Sequence, residues 1–570
     1  MSKTLRLFLV LLAIGALLIG ALIVGVFLIS GSQVPSFLGQ PRVLHLKISP
    51  QASESPGQEN LLSDPENFPP LTTEITRLIY DAAADENITG IKFELVRLPF
   101  GWASTQELRA ALKYFSDTGK PCEVWGENFG NKEYYLATAC DTIYISPSGV
   151  SLVNGLSITQ SYYADMLEKL EIEADFVHVG DFKTAVEAYE KTGPSEEATL
   201  ATNEMLSSLY SQLTNGIKEF TKTDPKALID NPPITPEQAK QSGMITDIKF
   251  RDEVFESNTD EILSTKDYLR HRRRVWTEGE KKIAVLYASG AIVNGKSGAS
   301  MFGSEFIGDK SISRYLKTIR NDDSIKAVVL RVNSPGGSGS ASDNIWREIE
   351  RIKETGKPVI VSMGDYAASG GYYISMNADR IFAQEGTITG SIGVFGGKMA
   401  LKGLYKKMGI NQVTFQQGEQ ATLFSTIEPF SDAEKEKFKE YLGSFYDRFI
   451  TLAAQGRQLP TTTMEESAKG RVWTGEMALE RQLIDEIGGL DNAIDYAAES
   501  VGAAQYAIEV FPPRKTFMDL LIEQLSGSTT DVSIKLPGFL HEALHPAITL
   551  EAVLRNTNAA VMLPMAIEIK

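Results

Sequence analysis

Two glycine-rich loops in the second half of the chain carry residues that suit acyl transfer. Residues 333–339 read N-S-P-G-G-S-G and follow a buried apolar run, so the backbone N–H groups of Gly336 and Gly337 can face a developing negative charge. In the second loop, Y-A-A-S-G-G-Y, Ser369 stands among small residues that leave space for a substrate. The amide of Gly370 follows it directly and suits an oxyanion hole. These residues predict a serine nucleophile with backbone oxyanion donors.

Each loop, taken alone, also has a purely structural explanation. A serine in a glycine turn is commonly a helix N-cap, and glycines favour tight turns whatever their function. A dinucleotide site needs G-x-G-x-x-G, but Gly339 is followed by Ser340, Ala341 and Ser342, so the third glycine is missing. We therefore expect no nucleotide cofactor.

An internal duplication adds information about these loops. The stretch W-G-E-N-F-G-N-K-E-Y-Y at 125–135 and the stretch M-G-D-Y-A-A-S-G-G-Y-Y at 363–373 share a rhythm at an offset of 238 residues. Further matches follow at offsets of 237 to 239, and a near-constant offset over a long stretch indicates two copies of one domain. We place the copies at 41–265 and 280–505.

The two copies lack different halves of one site. The offset pairs Ser369 with Asn131, so the first copy lacks the serine. It pairs Lys183 with Ala421, so the second copy lacks the lysine. No histidine near the serine offers a base, and a lysine can serve when burial depresses its pKa. The pattern predicts one composite site, although outside it a lysine is ordinarily a solvated surface residue.

The segments around the serine alternate between strands and helices. Crossover connections of this kind indicate a largely parallel sheet, so each copy is predicted to be an α/β domain. Residues 266–279 between the copies contain the basic cluster Arg270–Arg274, which we interpret as a solvated linker. Within the second copy we predict strands at Ile283–Tyr287, Ala327–Val332 and Val359–Met363, and helices at Ser311–Arg320 and Ala341–Thr355.

These motifs resemble signal peptide peptidase A, the protease IV family, in its long duplicated bacterial form. The resemblance rests on G-D-Y-A-A-S-G-G-Y-Y, N-S-P-G-G-S-G and T-G-S-I-G-V in the second copy and on G-D-F-K-T-A-V-E in the first, and it covers nearly the whole chain. It implies tandem Clp protease/crotonase-like domains. It also implies a nucleophile, a lysine base, a serine that orients the lysine, and oxyanion-hole glycines: Ser369, Lys183, Ser391, and Gly370 with Gly336 and Gly337.

The same resemblance implies a substrate class and an assembly. Members of this family cleave apolar peptides, such as signal peptides already released from their proteins, on the non-cytoplasmic side of a membrane. They assemble as bowl-shaped homotetramers and use no cofactor. We therefore expect peptide substrates and a homotetramer for this chain.

The N-terminus carries a predicted membrane anchor. Residues 7–29 contain no charge, and at 1.5 Å per residue a helix of this length reaches about 34 Å, enough for a hydrocarbon core of about 30 Å. Lys3 and Arg6 precede the run, so the positive-inside rule leaves residues 1–6 in the cytoplasm. We expect a single-pass protein of the cytoplasmic (inner) membrane whose catalytic domains face the periplasm or another non-cytoplasmic space. The alternative is a cleaved signal peptide, although its apolar region is ordinarily shorter.

Composition excludes several other function classes. The chain has 56 Lys and Arg against 73 Asp and Glu, a net charge of −17, which argues against nucleic-acid binding. The five histidines form no H-E-x-x-H, and His541 and His545 have only one carboxylate nearby, so we expect no metal. Cys122 and Cys140 could pair in an oxidising compartment, but we expect two buried free thiols. We assign no role to residues 506–570.

Two rival functions remain open on the sequence. The α/β repeat and the glycine turns also suit a crotonase-like acyl-CoA enzyme, which would not need Lys183 and is usually soluble. A catalytically silent membrane scaffold is the other, and it predicts that Ser369→Ala and Lys183→Ala leave function unchanged.

Overall fold

The computed structural model of the chain describes residues 40–48, 52–56, 68–256, 261–299, 305–514 and 560–562. The predicted anchor at 7–29 and the histidines at 541 and 545 lie outside this part of the chain. Among the described residues, no helix combines the length and the apolar composition that a membrane crossing requires.

The first repeat is an α/β domain built on a parallel sheet. Its strands are β1 (Arg42–Lys47), β2 (Ile88–Leu95), β3 (Cys122–Phe129), β4 (Thr142–Ser151), β5 (Glu173–Val179), β6 (Asp247–Ile248) and β7 (Ile262–Ser264). Its helices are α1 (Thr72–Ala84), α2 (Trp102–Asp117), α3 (Asn131–Ala137), α4 (Ala164–Lys169), α5 (Glu187–Glu190), α6 (Glu196–Phe220), α7 (Pro225–Asp230), α8 (Pro236–Gln241), α9 (Arg251–Phe255) and α10 (Thr265–Trp276). The sheet order is β6-β4-β3-β2-β1-β7, with parallel neighbours throughout.

The second repeat follows the same plan. Its strands are β8 (Lys282–Ser289), β9 (Ala291–Val293), β10 (Gly298–Ala299), β11 (Glu305–Gly308), β12 (Ile325–Ser334), β13 (Gly336–Ser338), β14 (Val359–Ala368), β15 (Arg380–Ala383), β16 (Ile388–Gly390), β17 (Val394–Ala400), β18 (Val472–Thr474), β19 (Glu486–Ile487) and β20 (Ala507–Phe511), and a last strand, β21 (Ala560–Met562), follows. Its helices are α11 (Asp309–Asn321), α12 (Gly339–Lys353), α13 (Gly370–Tyr373), α14 (Lys402–Lys407), α15 (Asp432–Gly456), α16 (Thr461–Ser467), α17 (Gly475–Glu480) and α18 (Leu490–Ser500).

The central strands of the two sheets correspond, whereas β18 of the second repeat has no strand counterpart among the described residues of the first. In the second repeat the order is β18-β16-β14-β12-β8-β20, with β15 on β14 and β19 on β15. With an offset of 238 residues, β4 of the first repeat corresponds to β15 and β16 of the second. With an offset of 239, β6 corresponds to β19. The predicted duplication is therefore confirmed. The predicted strands and helices of the second copy are all present, most of them a few residues longer than expected.

Local sequence explains how the serine-bearing loops are positioned. Strand β12 is an apolar run, buried at nearly every position, and it leads into the short strand β13. The Ser338 hydroxyl then accepts a hydrogen bond from the Ala341 amide and caps α12, whose last residue precedes the T-G-K-P stop at 355–358. Strand β14 follows, and Ser369 stands at the N-cap of α13.

A third sheet crosses from one repeat to the other. Its order is β10-β11-β9-β13-β21-β17-β5. Strand β5 comes from the first repeat and pairs antiparallel with β17 of the second. Strand β21 pairs antiparallel with β13 on one side and β17 on the other.

Buried polar contacts also join the repeats. Arg331 on β12 is fully buried, and its guanidinium binds Glu54 at 2.6 Å and Glu107 at 2.8 Å. Asp365 on β14 accepts hydrogen bonds from the Gly101 and Ser104 amides, so a carboxylate of the second repeat caps α2 of the first. Removing one partner would leave a buried charge or donor uncompensated, so these contacts hold the repeats in one arrangement.

Three sequence interpretations need correction or extension. The Arg270–Arg274 cluster is not a solvated linker, because it lies in helix α10 and its Arg272 and Arg273 side chains bind Asp81 and Glu74. Strand β20 lies beyond residue 505, yet it pairs with β8 and extends the second repeat's sheet.

The expectation of two free thiols was also wrong. Cys122 and Cys140 form a disulfide, with Cα atoms 4.9 Å apart. Cys122 begins β3, and Cys140 lies two residues before β4, which is the parallel neighbour of β3. The starts of two adjacent parallel strands lie at one sheet edge, which brings the two cysteines together.

Candidate active site

Ser369 lies at the junction of a strand and a helix with its side chain buried. Its backbone has φ +55°, a left-handed conformation that non-glycine residues seldom adopt. The Ser369 amide donates to the carbonyl of Gly390 on the neighbouring strand at 2.8 Å, and its carbonyl accepts from Tyr373 in the following helix. Both neighbours hold the strained turn, and such strain is typical of residues held for function.

Lys183 reaches Ser369 from the other repeat. It follows strand β5 and precedes a short 3₁₀ turn at Thr184–Val186. The side chain is fully buried, and Nζ lies 2.7 Å from the Ser369 Oγ although 186 residues separate the two. The composite site predicted from the two incomplete copies is therefore assembled in space.

Ser391 supplies the other contacts of the lysine. Lys183 Nζ donates to the Ser391 carbonyl at 2.9 Å and to its Oγ at 3.0 Å. Ser391 also has positive φ, +52°, and its amide donates to the Arg471 carbonyl at 2.7 Å. The three oxygens around Nζ therefore fix the direction of the lysine side chain.

The surroundings of Lys183 favour the neutral amine. All three oxygen partners belong to uncharged groups, and in the described part of the chain no carboxylate forms an ion pair with Nζ. Burial removes the ammonium from water and lowers the pKa of Lys183 well below its ordinary value. A neutral amine 2.7 Å from a serine hydroxyl can accept its proton.

The three predicted oxyanion glycines lie beside the serine. An added Cβ on Gly370 would lie 3.1 Å from the Gly337 amide nitrogen and 3.2 Å from the Gly336 Cα, so the two loops touch at these residues. The Gly336 amide already donates to the Ser334 Oγ at 3.2 Å. Of the two turn glycines, Gly337 is thus the better candidate for a donor that works with Gly370.

The loop at Lys469 and Gly470 supports Lys183, and the sequence alone did not indicate it. The Lys469 carbonyl accepts a hydrogen bond from the Phe182 amide at 2.8 Å. Gly470 has φ +80°, and a Cβ there would lie 2.6 Å from the Lys183 Cα. Only glycine permits this close approach of two backbones. At an offset of 238 the first repeat has Pro232 in place of this glycine, a difference that could have drawn attention to the loop.

Similarity to known proteins agrees with this geometry. The profile of peptidase family S49 matches residues 114–262 and 351–504. Serine protease SPPA of the Arabidopsis thaliana chloroplast is 34% identical, covering 81% of this chain and 71% of that protein. Protease 4 of Haemophilus influenzae is 33% identical over 76% and 74% of the two chains, and Protease 4 of Salmonella typhi is 31% identical over 88% and 81%.

A solved structure shows a weaker similarity. The membrane-bound stomatin-specific protease 1510-N is 18% identical with a TM-score of 0.27, over 41% of this chain and 100% of that one. The family match and the three relatives favour peptide hydrolysis over acyl-CoA chemistry. This chain, in which an S49 domain is duplicated, belongs to peptidase family S49 and is a serine peptidase.

Proposed function

We propose that the chain is an endopeptidase that uses a Ser369–Lys183 dyad shared between its two repeats. One observation carries the proposal. A fully buried lysine, with only uncharged oxygens around it, has its Nζ at hydrogen-bond distance, 2.7 Å, from the hydroxyl of a serine held at positive φ. Lysine can act as a general base only when it is neutral, and burial provides that condition.

The proposed reaction has two acyl-transfer steps. Neutral Lys183 takes the proton of the Ser369 Oγ while that oxygen attacks the peptide carbonyl. The Gly370 and Gly337 amides stabilise the oxyanion of the tetrahedral intermediate. The lysinium then protonates the leaving amine and becomes neutral again. It next removes a proton from water, which hydrolyses the acyl-enzyme and releases Ser369.

Ser391 acts in this scheme as a positioning residue. Its carbonyl and hydroxyl hold Nζ near Ser369, as the third member of a triad holds the base. The hydroxyl oxygen can accept a hydrogen bond from an N–H of the lysine in either protonation state, so it can hold Nζ throughout the reaction.

Strand β21 supports a peptide substrate. Its backbone pairs antiparallel with β13, where Gly336 faces Met562 and Gly337 faces Val561. The position beside the proposed oxyanion glycines therefore accommodates an extended backbone, here a segment of the chain itself that pairs with both β13 and β17. Strand addition of this kind recognises the main chain first and side chains second, which suits a peptidase with varied substrates.

We further propose the fold type, the membrane location, the substrates and the assembly that the family resemblance implies. The fold is of the Clp protease/crotonase type, and residues 7–29 anchor the chain in the cytoplasmic membrane. The catalytic domains face the non-cytoplasmic side, and the disulfide between Cys122 and Cys140 supports an oxidising compartment. The substrates are apolar peptides such as released signal peptides, which would reach an anchored enzyme from the same membrane. The assembly is a homotetramer.

The test is covalent labelling with a serine-reactive phosphonate, read by intact-protein mass. We expect one adduct on the wild type and none on Ser369→Ala or Lys183→Ala, each with a wild-type circular dichroism spectrum. Labelling that persists in Lys183→Ala would remove the lysine as the base. A folded wild type that takes no label would favour the silent scaffold instead.

A further inference from the structure

The guanidinium of Arg471 lies over aromatic rings of both repeats. Its carbon is 4.9 Å from the centre of the Phe182 ring and 4.3 Å from the centre of the Trp473 ring. Phe182 belongs to the first repeat and directly precedes Lys183, whereas Trp473 lies on strand β18 of the second. Such contacts are attractive. The guanidinium therefore connects the second repeat to the residue that precedes the proposed base.

Trp473 is well supported on its own side of this contact. Its indole is 3% exposed, and Nε1 donates a hydrogen bond to the Ser467 carbonyl at 2.8 Å. Strand β18 pairs Trp473 with Thr389 of β16, the strand that leads into Ser391. A guanidinium that rests on this indole is therefore positioned relative to the segment that holds the lysine Nζ.

The first repeat contacts the same guanidinium at a second point. Glu204 of helix α6 forms an ion pair with Arg471, and its side chain is 43% exposed. An ion pair as exposed as this one contributes little to the stability of a fold. Phe182 meanwhile packs against the core of the first repeat. A planar guanidinium can bind a carboxylate and stack on a ring at once, which a lysine ammonium does less well.

The main chain next to Arg471 joins the same two segments. The Arg471 carbonyl accepts a hydrogen bond from the Ser391 amide at 2.7 Å, and the Gly470 amide donates to the Ile392 carbonyl at 2.7 Å. The Phe182 amide donates to the carbonyl of the residue before Gly470 at 2.8 Å. The loop at 469–471 thus lies between the segment that carries the proposed base and the segment that orients it.

The duplication shows that this contact exists once in the chain. The offset of 238 pairs Arg471 with Pro233 and Phe182 with Gln420. Neither repeat therefore contains both members of the stack, and they meet only across the repeats. The proposed dyad has the same complementary pattern, which associates the stack with the composite site.

We propose that Arg471 is a positioning residue that acts through Phe182 on Lys183. Its contacts with Phe182 and Trp473 keep the lysine Nζ within reach of the serine hydroxyl. The inference rests on the proposed dyad, and it gives Arg471 no contact with the substrate and no part in proton transfer. Because a misplacement of about 1 Å can cost about 10²-fold in rate, loss of the guanidinium should be visible in kcat.

Arg471→Met tests the proposal, since methionine has neither the charge nor the plane of the guanidinium. We expect kcat for a fluorogenic peptide to fall about tenfold or more, with KM within about twofold of the wild type. A lysine held less deeply has a pKa nearer its ordinary value, so the acid limb of the pH–rate profile should move to higher pH. This shift does not depend on the fraction of enzyme that is folded. A limb that stays at the wild-type pH would overturn the proposal.

Arg471→Lys separates stacking from charge. Lysine keeps the positive charge beside Glu204 but lacks the planar group, so most of the loss in kcat should remain. Wild-type kcat in Arg471→Lys would overturn the stacking role. Glu204→Gln changes an exposed side chain and leaves the fold intact, and it should produce a smaller fall in kcat with a limb shift in the same direction.

Arg481→Met is the matched control. Arg481 also lies over Trp473, at 3.7 Å, but its hydrogen bonds go to Met477 and Glu480 of the second repeat. Its replacement should leave kcat and the acid limb at their wild-type values. Equal effects of Arg481→Met and Arg471→Met would overturn the proposal. Thermal melting of both variants reports the purely structural cost.

Phosphonate labelling distinguishes a failure of this inference from a failure of the dyad. Label lost in Lys183→Ala, together with wild-type kinetics in Arg471→Met, would overturn the role of Arg471 alone. Label that survives in Lys183→Ala would overturn the dyad, and the role of Arg471 with it.

Discussion

In the first repeat, Asn131 stands where the second repeat has Ser369, and its side-chain amide forms hydrogen bonds within the same repeat. Its Oδ1 accepts hydrogen bonds from the Asn154 and Gly155 amides at 3.1 and 3.2 Å. In the second repeat, the equivalent Ser369 makes no such closed local set, and its hydroxyl meets Lys183 from the other repeat. Hydrogen bonds within the first repeat therefore satisfy the side chain of Asn131, whereas the hydroxyl of Ser369 depends on a residue from the other repeat.

The oxyanion-hole positions differ in the same way. Leu98 in the first repeat corresponds to Gly336, and its amide donates to the Glu133 carboxylate at 3.1 Å. Lys132, the counterpart of Gly370, donates to the Phe100 carbonyl at 2.7 Å. The counterpart of Gly337, the turn glycine proposed as an oxyanion donor, is Pro99, which has no backbone N–H. In the first repeat, side chains of the chain itself occupy the equivalent of the proposed site. They stabilise the fold there and leave no space for a substrate.

The two repeats also differ in backbone strain at the positions of the proposed site. Ser369 and Ser391 both have positive φ, whereas their counterparts Asn131 and Val153 do not. Positive φ costs of order 1–3 kcal/mol for a residue other than glycine. The second repeat carries this cost at two positions of one site. At these two pairs of aligned positions, positive φ therefore occurs only in the repeat that carries Ser369.

Replacing each dyad residue by the residue at the equivalent position of the other repeat should have the largest effect on activity. Ser369→Asn and Lys183→Ala each remove one half of the dyad, so we expect kcat/KM to fall at least about 10⁴-fold in either variant. The double variant should be no worse than the poorer single one, because the two residues act as a unit. Hydrolysis of a fluorogenic peptide measures this, and Asn131→Ala is the control. More than a tenth of wild-type activity in Lys183→Ala would contradict the shared site.

Gly370→Ala should produce the next largest effect. Its new Cβ would lie 2.7 Å from the Ser342 Oγ and 3.1 Å from the Gly337 nitrogen, and the two loops must separate. Loss of one oxyanion donor lowers kcat by about 10²–10³-fold, and KM should change little. Gly443→Ala in α15 is the matched control, since a Cβ there meets open space. Equal activity of the two variants would exclude Gly370 from the oxyanion hole.

Ser391→Ala should lower kcat about tenfold, because Lys183 loses one hydrogen bond but keeps the Ser391 carbonyl and Ser369. The hydroxyl also stabilises the protonated lysine, so its removal should lower the pKa of Lys183 further. The acid limb of the pH–rate profile should then move to lower pH. A fall in kcat with a stationary limb would reduce Ser391 to a packing role.

The neutral lysine should also appear in the stability of the protein. Burial lowers the pKa of Lys183 in the folded state, so above that depressed value and below the ordinary one near 10.5 the unfolded chain binds one more proton. The unfolding free energy should therefore rise with pH in this window by up to about 1.4 kcal/mol per unit, relative to Lys183→Met. Urea denaturation at several pH values measures the difference. A pH-independent difference would mean that the lysine stays charged.

Glu133→Ala should leave activity within about twofold of the wild type, because it changes only the filled site of the first repeat. It removes the acceptor of the Leu98 amide, which should cost about 1–3 kcal/mol of stability. Peptide hydrolysis and thermal unfolding separate the two effects. A tenfold loss of kcat with an intact fold would show that the first repeat's loop takes part in catalysis.

Repeated sequence made most of this architecture predictable. The offset located both domains, and the complementary losses at positions 131 and 421 identified Lys183 although it is distant in sequence. The sequence did not predict features that depend on contacts between distant segments of the chain. Gly470 matters because of a backbone that approaches it from another repeat. The cysteines pair because adjacent parallel strands bring their starts together. The arginines of α10 looked solvated because their acidic partners lie about 190 residues earlier.

The 186 residues between Lys183 and Ser369 have a consequence for the order in which the enzyme is made. Synthesis proceeds from the N-terminus at about 5–20 residues per second, so the lysine precedes the serine by roughly 10–40 s. The emerging first repeat contains Lys183 but not Ser369, its partner in the proposed dyad. Its own positions equivalent to those around Ser369 are occupied by side chains. Activity begins only when the last strands around the serine have folded against it. The proposed dyad is therefore incomplete until synthesis of the second repeat is well advanced.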